Sequence, residues 1–189
     1  FPASTLPNDW STQTVLRITF GEAHAIVQTV AGVYGWGANN LEQLSPQLEP
    51  NPVLFTIIEL FTDINQVIAC GDSTFYWRST SPSLTGTGPL ARGIAPSSSG
   101  LYASLPELPA SYGQIAEISC TRRALFVRTT LGRIYPFSAG PTNLAPTETS
   151  LPHQLIPRGA SIVSMMRPSA AAECMFAVLA LQPVTSGVD

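Results

Sequence analysis

The sequence contains no lysine and little charge of either sign. All nine basic residues are arginine, charged residues make up 11% of the chain, and the net charge is −3. Arg122 and Arg123 form the only adjacent basic pair. Because nucleic-acid binding normally requires clustered basic residues, we expect no DNA or RNA binding through this segment.

Cysteine is scarce and lacks the spacing of a metal site. Cys70, Cys120 and Cys174 form no Cys-x-x-Cys pair and have no histidine beside them, which argues against zinc. Their neighbours are apolar, so we expect buried, reduced thiols. We also expect the Cα atoms of Cys70 and Cys120 to lie more than ~7 Å apart, beyond the reach of a disulfide. Free thiols are typical of a reducing compartment, so the sequence favours an intracellular protein, with the compartment left open.

Long apolar runs are also missing. No stretch reaches the roughly 20 uninterrupted apolar residues of a transmembrane helix, and we expect no membrane partner. The most apolar region, 162–181, is interrupted by Arg167, Pro168 and Glu173. Hydrophobic residues still make up 44% of the 189 residues, enough for a sizeable core. The chain begins at Phe1, which we interpret as a processed product or part of a longer polypeptide.

The chain does contain a repeated segment. Residues 16–27, 66–77 and 116–127 each read as an apolar strand, a polar turn and a second apolar strand. At a constant spacing of 50, the matching residues are Ile18, Ile68 and Ile118; Phe20, Cys70 and Cys120; and Ile26, Tyr76 and Phe126. We expect the isoleucines, Tyr76 and Phe126 to be buried at matching places in consecutive units.

Weaker copies extend the repeat. Segment 131–138 resembles segment 31–37, so that Tyr135 corresponds to Tyr34 and Phe137 to Trp36. A fourth copy occupies 161–181. The Ser-Ala-Ala-Ala-Glu sequence at its centre also suits a helix N-terminus, but the repeat phase favours a strand over 175–181.

A period near 50, with short strands and Gly- and Pro-containing turns, is typical of an all-β protein built from β-propeller blades. We place the units near 14–63, 64–113, 114–160 and 161–189, the last one partial, as a single incomplete propeller over 1–189. The Trp-Asp signature of the shorter WD repeats and the Gly-Gly doublet of kelch repeats are both missing.

The segment FGEAHAIV, followed by VYGWGANNLEQL, resembles the repeat of the regulator of chromosome condensation family. That repeat reads Gly-x-x-His, an apolar strand, a Gly turn and Val-Tyr-x-Trp-Gly-x-Asn-x-x-Gly-Gln-Leu-Gly. The matching residues are Gly21, His24, Val33, Tyr34, Trp36, Gly37, Asn39, Gln43 and Leu44. Glu42 and Ser45 stand where the family has glycine. The match is specific over 16–44 and eroded in the later units.

The resemblance implies a propeller of seven blades, which at ~50 residues each needs about 350 residues. The 189 residues hold three units and part of a fourth, so we expect a partial propeller or a fragment of a longer chain. Tyr34 and Trp36 are expected to fill the wedge between blades. We interpret His24 as a buried or turn histidine rather than a catalytic base, and His153 in the same way.

Two Ser-, Pro- and Gly-rich segments interrupt the pattern. Segment 79–113 is either a degraded blade with long loops or a flexible insertion in which Leu101, Tyr102, Leu105 and Leu108 could dock. Segment 140–152 is a shorter loop of the same kind. Because binding residues concentrate on loops of rigid scaffolds, both segments are candidate binding sites.

No catalytic constellation is recognisable: the sequence has no Gly-x-Ser-x-Gly elbow, phosphate loop or His-Glu-x-x-His motif. We therefore predict no catalytic, cofactor-binding or metal-binding residues and no cofactor. The favoured function is a non-enzymatic protein-interaction scaffold, either alone or as a structural subunit of a larger assembly. The resemblance also implies an alternative, a guanine-nucleotide exchange factor whose partner is a small GTPase.

Overall fold

The computed structural model describes residues 12–48, 53–59, 64–78, 83–96, 102–131, 133–138, 160–166 and 176–181. The strands within this part of the chain form four antiparallel sheets in sequence order. Sheet 1 contains β1 (Val15–Phe20), β2 (His24–Thr29), β3 (Val33–Gly37) and β4 (Val53–Glu59). Sheet 2 contains β5 (Ile64–Cys70), β6 (Ser73–Arg78), β7 (Leu84–Thr87) and β8 (Ala103–Ser104). Sheet 3 contains β9 (Ile115–Cys120), β10 (Ala124–Thr129) and β11 (Ile134–Ser138), and sheet 4 contains β12 (Ala160–Met166) and β13 (Phe176–Leu181).

The sheets follow one another as propeller blades do. Within each sheet, consecutive strands pair as a meander. The first strand of each sheet contacts the first strand of the next: β1 lies beside β5, β5 beside β9, and β9 beside β12. The predicted all-β architecture of partial propeller blades is therefore confirmed, and the strand predicted over 175–181 is confirmed as β13.

The core lies in the seams between the sheets. The seam between sheets 1 and 2 contains Ile26, Val33, Leu44, Val67, Ala69 and Tyr76. The seam between sheets 2 and 3 is larger and includes Ile68, Phe75, Ile118, Leu125, Val127 and Phe137. Sheets 1, 2 and 3 therefore bury apolar side chains against a neighbouring sheet, and the stability of one unit depends on the next.

The repeat spacing is not constant, which corrects the predicted alignment. Four residues separate the paired ends of the β1–β2 hairpin, Phe20 and Ala25, but only two separate Cys70 from Ser73 in the β5–β6 hairpin. The β9–β10 hairpin again has four. The hairpin centres therefore lie 49 and 51 residues apart. Because strand side chains alternate between faces, a shift of one residue turns each β5 side chain to the other face.

Ile68 consequently does not match Ile18 and Ile118. The residue of sheet 2 that corresponds to them is Val67, which faces sheet 1, whereas Ile68 faces sheet 3. Ile26, Ile68, Tyr76 and Ile118 are buried as predicted. The prediction is wrong for Ile18, which is 49% exposed, and for Phe126, which is half-buried.

The expected separation of Cys70 and Cys120 is also wrong. Their Cα atoms lie 5.9 Å apart and their sulfurs form a disulfide across the seam between sheets 2 and 3. The prediction placed both cysteines on the same face of their sheets. The shorter β5–β6 hairpin instead turns Cys70 toward sheet 3, so that the two side chains meet. The argument for an intracellular location from free thiols therefore no longer holds for this pair.

Segment 79–113 is largely ordered into sheet 2 where the structure describes it. It supplies β7, β8, the short helix α1 (Pro89–Ile94) and a 3-10 turn at Ala110–Tyr112. Helix α1 inserts Leu90, Ala91 and Ile94 into the seam between sheets 2 and 3. Its described residues are thus part of the second sheet, and the choice between a degraded blade and a flexible insertion stays a prediction for the segment as a whole. Leu105 is buried and Leu108 packs on the same seam.

Candidate functional site: the uncovered face of sheet 1

A loop of the best-matching repeat joins sheet 1 to sheet 2. In residues 38–48, which we name the Asn39 loop, the Asn39 side-chain amide donates to the carbonyls of Ser45 (3.0 Å) and Leu48 (3.1 Å). Its oxygen accepts from the backbone N–H groups of Leu44 (3.0 Å) and Ser45 (3.2 Å). One buried side chain thus satisfies four backbone groups, and this explains why the repeat places asparagine here.

Sheet 2 holds the Asn39 loop through hydroxyl groups. Thr74 donates to the Gln43 carbonyl (2.7 Å), and Tyr76 donates to the Leu44 carbonyl (3.3 Å). Thr87 donates to the carbonyl of Glu42 (2.5 Å). The loop therefore joins the two sheets through hydrogen bonds. We name these bonds, from Thr74, Tyr76 and Thr87 to the loop carbonyls, the clasp.

His24 belongs to the same clasp. Its Nε2 lies 3.0 Å from the hydroxyl of Thr74, and because that hydroxyl already donates to Gln43, it accepts from His24. The proton of the neutral ring is thereby placed on Nε2. Burial lowers the pKa of His24 to about 4, and a hydrogen bond to the backbone of Ser73 raises it only in part. This supports the interpretation of His24 as a buried structural histidine.

Two matched glycines make room for this histidine. A Cβ at Gly21 would meet the His24 ring, and a Cβ at Gly37 would meet the carbonyl oxygen of Ala23. Gly37 also has a positive φ of 104°, which favours glycine. His153 and segment 140–152 lie outside the described residues, so the predictions made for them stay predictions.

Along β1, by contrast, apolar side chains are uncovered. Leu16, Ile18 and Phe20 alternate along the strand and are 56%, 49% and 65% exposed. The hydroxyl of Thr19, between them, accepts from the Ala69 N–H (3.1 Å) and so faces sheet 2. Ile18 and Phe20 therefore point away from sheet 2. Together with Leu16, which lies at a register shift before them, they form what we name the β1 face.

The repeat shows what this position normally does. Counting from the hairpin centres, Val67 and Ile118 correspond to Ile18, and Ala69 corresponds to Phe20. Val67 and Ile118 are 0% and 1% exposed because the preceding sheet covers them. The β1 face is thus a blade surface of the kind that is buried in sheets 2 and 3, presented to solvent in sheet 1.

Tyr34 and Trp36 lie on the side of sheet 1 away from sheet 2. Tyr34 is buried beside Val27, and Trp36 packs on this pair while retaining partial exposure. The wedge between sheets 1 and 2 is filled instead by Ile26, Val33 and Leu44. On this side of the sheet Tyr34 is therefore covered, and Trp36 alone of the two aromatics remains partly exposed.

Charged residues link the hairpin tips of the three sheets. Glu22 forms an ion pair with Arg122 of sheet 3 (3.0 Å), and its backbone N–H donates to the Gly71 carbonyl (2.8 Å). Both side chains are substantially exposed. The tips of three consecutive hairpins thus meet at one end of the sheets.

Within the described residues, no three His, Cys, Asp or Glu side chains are grouped as a metal site would require. No helix in the described part of the chain is long and apolar enough to cross a membrane.

Comparison with solved structures identifies the fold. The human protein WBSCR16 superposes with a TM-score of 0.64 at 14% identity, over 86% of this chain and 44% of its own. Prp20p from Saccharomyces cerevisiae, described with its binding properties to Gsp1p and histones, gives a TM-score of 0.58 at 14% identity, over 82% of this chain and 41% of its own.

This chain has the β-propeller fold of the regulator of chromosome condensation type. Yeast RCC1 (Prp20) bound to Kap60 agrees, with a TM-score of 0.57 at 15% identity, over 81% of this chain and 39% of its own. The predicted resemblance is confirmed at the level of fold. The chain spans less than half the length of the protein chain in each of these three structures. No family model matches the sequence, and no curated protein matches it significantly.

Proposed function

We propose that this chain is a non-enzymatic protein-interaction scaffold that works as part of a larger assembly, and that a protein partner docks on the β1 face. The observation that carries the proposal is the exposure of Ile18 and Phe20, because their counterparts Val67, Ile118 and Ala69 are buried in the neighbouring sheets. Contiguous apolar surface on a folded protein marks a protein-binding site.

The chemistry of the β1 face suits a protein more than a small molecule. Branched and aromatic side chains lie along one strand, β1. Phe20 is the most exposed large apolar side chain among the described residues and provides a central anchor, since aromatic residues dominate the energetics of such interfaces. With so few charges nearby, binding should depend weakly on salt.

The fold supports a protein partner in general terms. Prp20p is described as binding Gsp1p and histones, and yeast RCC1 is described in complex with Kap60. Exchange of guanine nucleotide on a small GTPase is the alternative function, and the likeness to Prp20p is the observation that favours it. Fold alone is a weak guide to function, and within the described ranges we recognise no wedge suited to exchange, so we rank the scaffold first.

Site-specific photocrosslinking tests the β1 face. The photoreactive residue benzoyl-phenylalanine replaces Phe20 in the natural full-length protein in its own cells. A matched variant carries it at Leu131, which is similarly exposed (57%) but lies in a turn of sheet 3. We expect a discrete adduct with another protein from position 20 and not from position 131.

The other outcomes count against the proposal. Crosslinks from position 20 to the same polypeptide alone would show that the protein covers the β1 face itself. Equal adducts from both positions would show non-specific contact, and no adduct from position 20 would show that no protein docks there. A Phe20→Asp variant provides a second measurement: it should lose the partner in co-purification while Leu131→Asp retains it.

A further inference from the structure

Cys70 and Cys120 face each other across a seam that no other covalent bond spans among the described residues. Cys70 lies at the end of β5, is 2% exposed and belongs to the seam between sheets 2 and 3. Cys120 lies at the end of β9, packs against the same seam and is partly exposed. The two residues therefore differ in access to solvent although they are bonded to each other.

The juxtaposition depends on the hairpin lengths described above. If the three hairpins had turns of equal length, Cys70 and Cys120 would both point toward the preceding sheet. Their side chains could then not meet. The two-residue turn at Gly71 and Asp72 turns Cys70 toward sheet 3, while the longer turn that follows Cys120 keeps that side chain toward sheet 2. The backbones are thus close enough, at 5.9 Å between Cα atoms, for a bond that the fold accommodates.

We propose that Cys70 and Cys120 form a thiol–disulfide modification site that takes a disulfide-bonded oxidant such as oxidised glutathione, with Cys120 reacting first and Cys70 resolving. The proposal does not rest on the scaffold function. Partial exposure allows Cys120 to be reached from solvent, whereas the burial of Cys70 restricts it to the sulfur beside it. Thiol–disulfide exchange depends on such access.

The exchange balances in two steps. The Cys120 thiolate attacks one sulfur of oxidised glutathione, forms a mixed disulfide and releases one glutathione thiolate. The Cys70 thiolate then attacks the Cys120 sulfur and displaces the second glutathione thiolate. The two protein thiols are oxidised by two electrons, oxidised glutathione is reduced to two molecules of glutathione, and the two thiol protons pass to the released thiolates.

Oxidation should tighten the seam between sheets 2 and 3. The bond joins residues 50 apart in sequence, and closing a loop of this size restricts the unfolded chain. We expect the oxidised protein to unfold at least about 5 °C above the reduced protein. Helix α1 packs in the same seam and should gain protection from amide exchange together with β5 and β9.

The test uses the folded, fully reduced protein treated with oxidised glutathione and quenched with acid at intervals. Peptide mapping by mass spectrometry should show a transient glutathione adduct on Cys120 and then a Cys70–Cys120 peptide. In a Cys70→Ser variant the adduct on Cys120 should accumulate. In a Cys120→Ser variant, Cys70 should stay unmodified over the same interval. Cys174→Ser, at the third cysteine, is the matched control and should behave as the parent.

Several results would overturn the proposal. No Cys70–Cys120 peptide, or one in which either residue is joined to Cys174, would remove the site. Equal adduct formation on Cys70 and Cys120 in the two serine variants would remove the proposed order. If a variant fails to fold by circular dichroism, the time course of the parent protein decides, because an adduct seen first on Cys70 contradicts the order without any substitution.

Discussion

The side-chain amide of Gln66 binds both backbone groups of Ile118 across the seam between sheets 2 and 3. Its nitrogen donates to the Ile118 carbonyl (3.0 Å) and its oxygen accepts from the Ile118 N–H (2.9 Å). Gln66 is 4% exposed. The backbone N–H and carbonyl of Ile118, in the first strand of sheet 3, are thus hydrogen-bonded by a side chain of sheet 2. A neighbouring strand would bond them in the same way.

Replacing Gln66 by leucine should destabilise the protein by about 2–4 kcal/mol, because two buried backbone groups would lose their partners. Chemical denaturation measures the change. Gln114→Leu is the control, since Gln114 is exposed and its substitution should stay within about 0.5 kcal/mol. A loss below about 1 kcal/mol for Gln66→Leu would show that water replaces the amide and that the seam tolerates it.

Glu42 has a positive φ of 59°, at a position where the resembled repeat carries glycine. Glu42→Gly should relieve the backbone and lose only a long, exposed ion pair with Arg92 (3.8 Å). Glu42→Ala loses the same pair but keeps the unfavourable backbone. We expect the glycine variant to be more stable than the alanine variant by about 1 kcal/mol. Equal stability of the two would show that φ at this position relaxes.

The lowered pKa of His24 predicts a pH dependence of stability. The unfolded chain binds a proton below about pH 6.5, whereas the folded protein resists protonation of His24 until about pH 4. The unfolded state therefore binds more protons between these values, and stability falls as the pH falls through this window. Above it, the neutral ring carries no such cost.

From pH 7.5 to pH 5 the loss attributable to His24 should be on the order of 2 kcal/mol. Urea titrations of the parent and of His24→Gln at several pH values isolate it, because carboxylates contribute equally to both proteins. The free energy of unfolding of the variant should lack this part of the pH dependence. Parallel pH profiles for the two proteins would contradict the burial of a neutral ring.

Exchange activity separates the scaffold from its alternative. A catalytic exchange factor releases labelled nucleotide from its GTPase when present in trace amounts, whereas a scaffold binds stoichiometrically. We expect no acceleration by this chain across a panel of small GTPases, with a known exchange factor for each as the positive control. Acceleration at substoichiometric protein would make exchange the leading function.

The sequence predicted the fold well because the best-preserved unit carries residues with structural tasks. Asn39 organises a loop, His24 and Gly37 shape a hairpin, and Leu44 fills a seam. These requirements are local, so one intact copy is enough to identify the blade. The other copies, with fewer of these residues, still form strands because their alternation of apolar and polar residues persists.

The face that each strand presents was harder to predict. The constant spacing of 50 concealed the two-residue turn at Gly71 and Asp72, although Gly-Asp between two apolar runs is itself a signal for a tight hairpin. Because this turn was not recognised, Ile68 was assigned to the wrong face of its strand. For the same reason, the contact between Cys70 and Cys120 was not expected. Helix α1 was missed because six residues are too few for a periodic pattern, and its only local signal is Pro89 in the first turn.

The exposure of Ile18 could not be predicted from the strand pattern either. Pattern shows which residues are apolar, but whether a blade face is covered depends on what stands next to it. Ile118 and Ile18 belong to the same repeat position, and only the neighbouring sheet makes one buried and the other exposed.

The Asn39 loop bears on how this protein can be divided for experiments. By sequence the loop belongs to the first unit, but the hydroxyls of Thr74 and Tyr76 in the second unit depend on its carbonyls. A fragment that starts at Ile64, the beginning of β5, would contain every strand of sheet 2 and still leave those hydroxyls without their acceptors. The smallest piece expected to fold cooperatively is therefore out of phase with the repeat, and truncations are better designed around the clasp than around the strands.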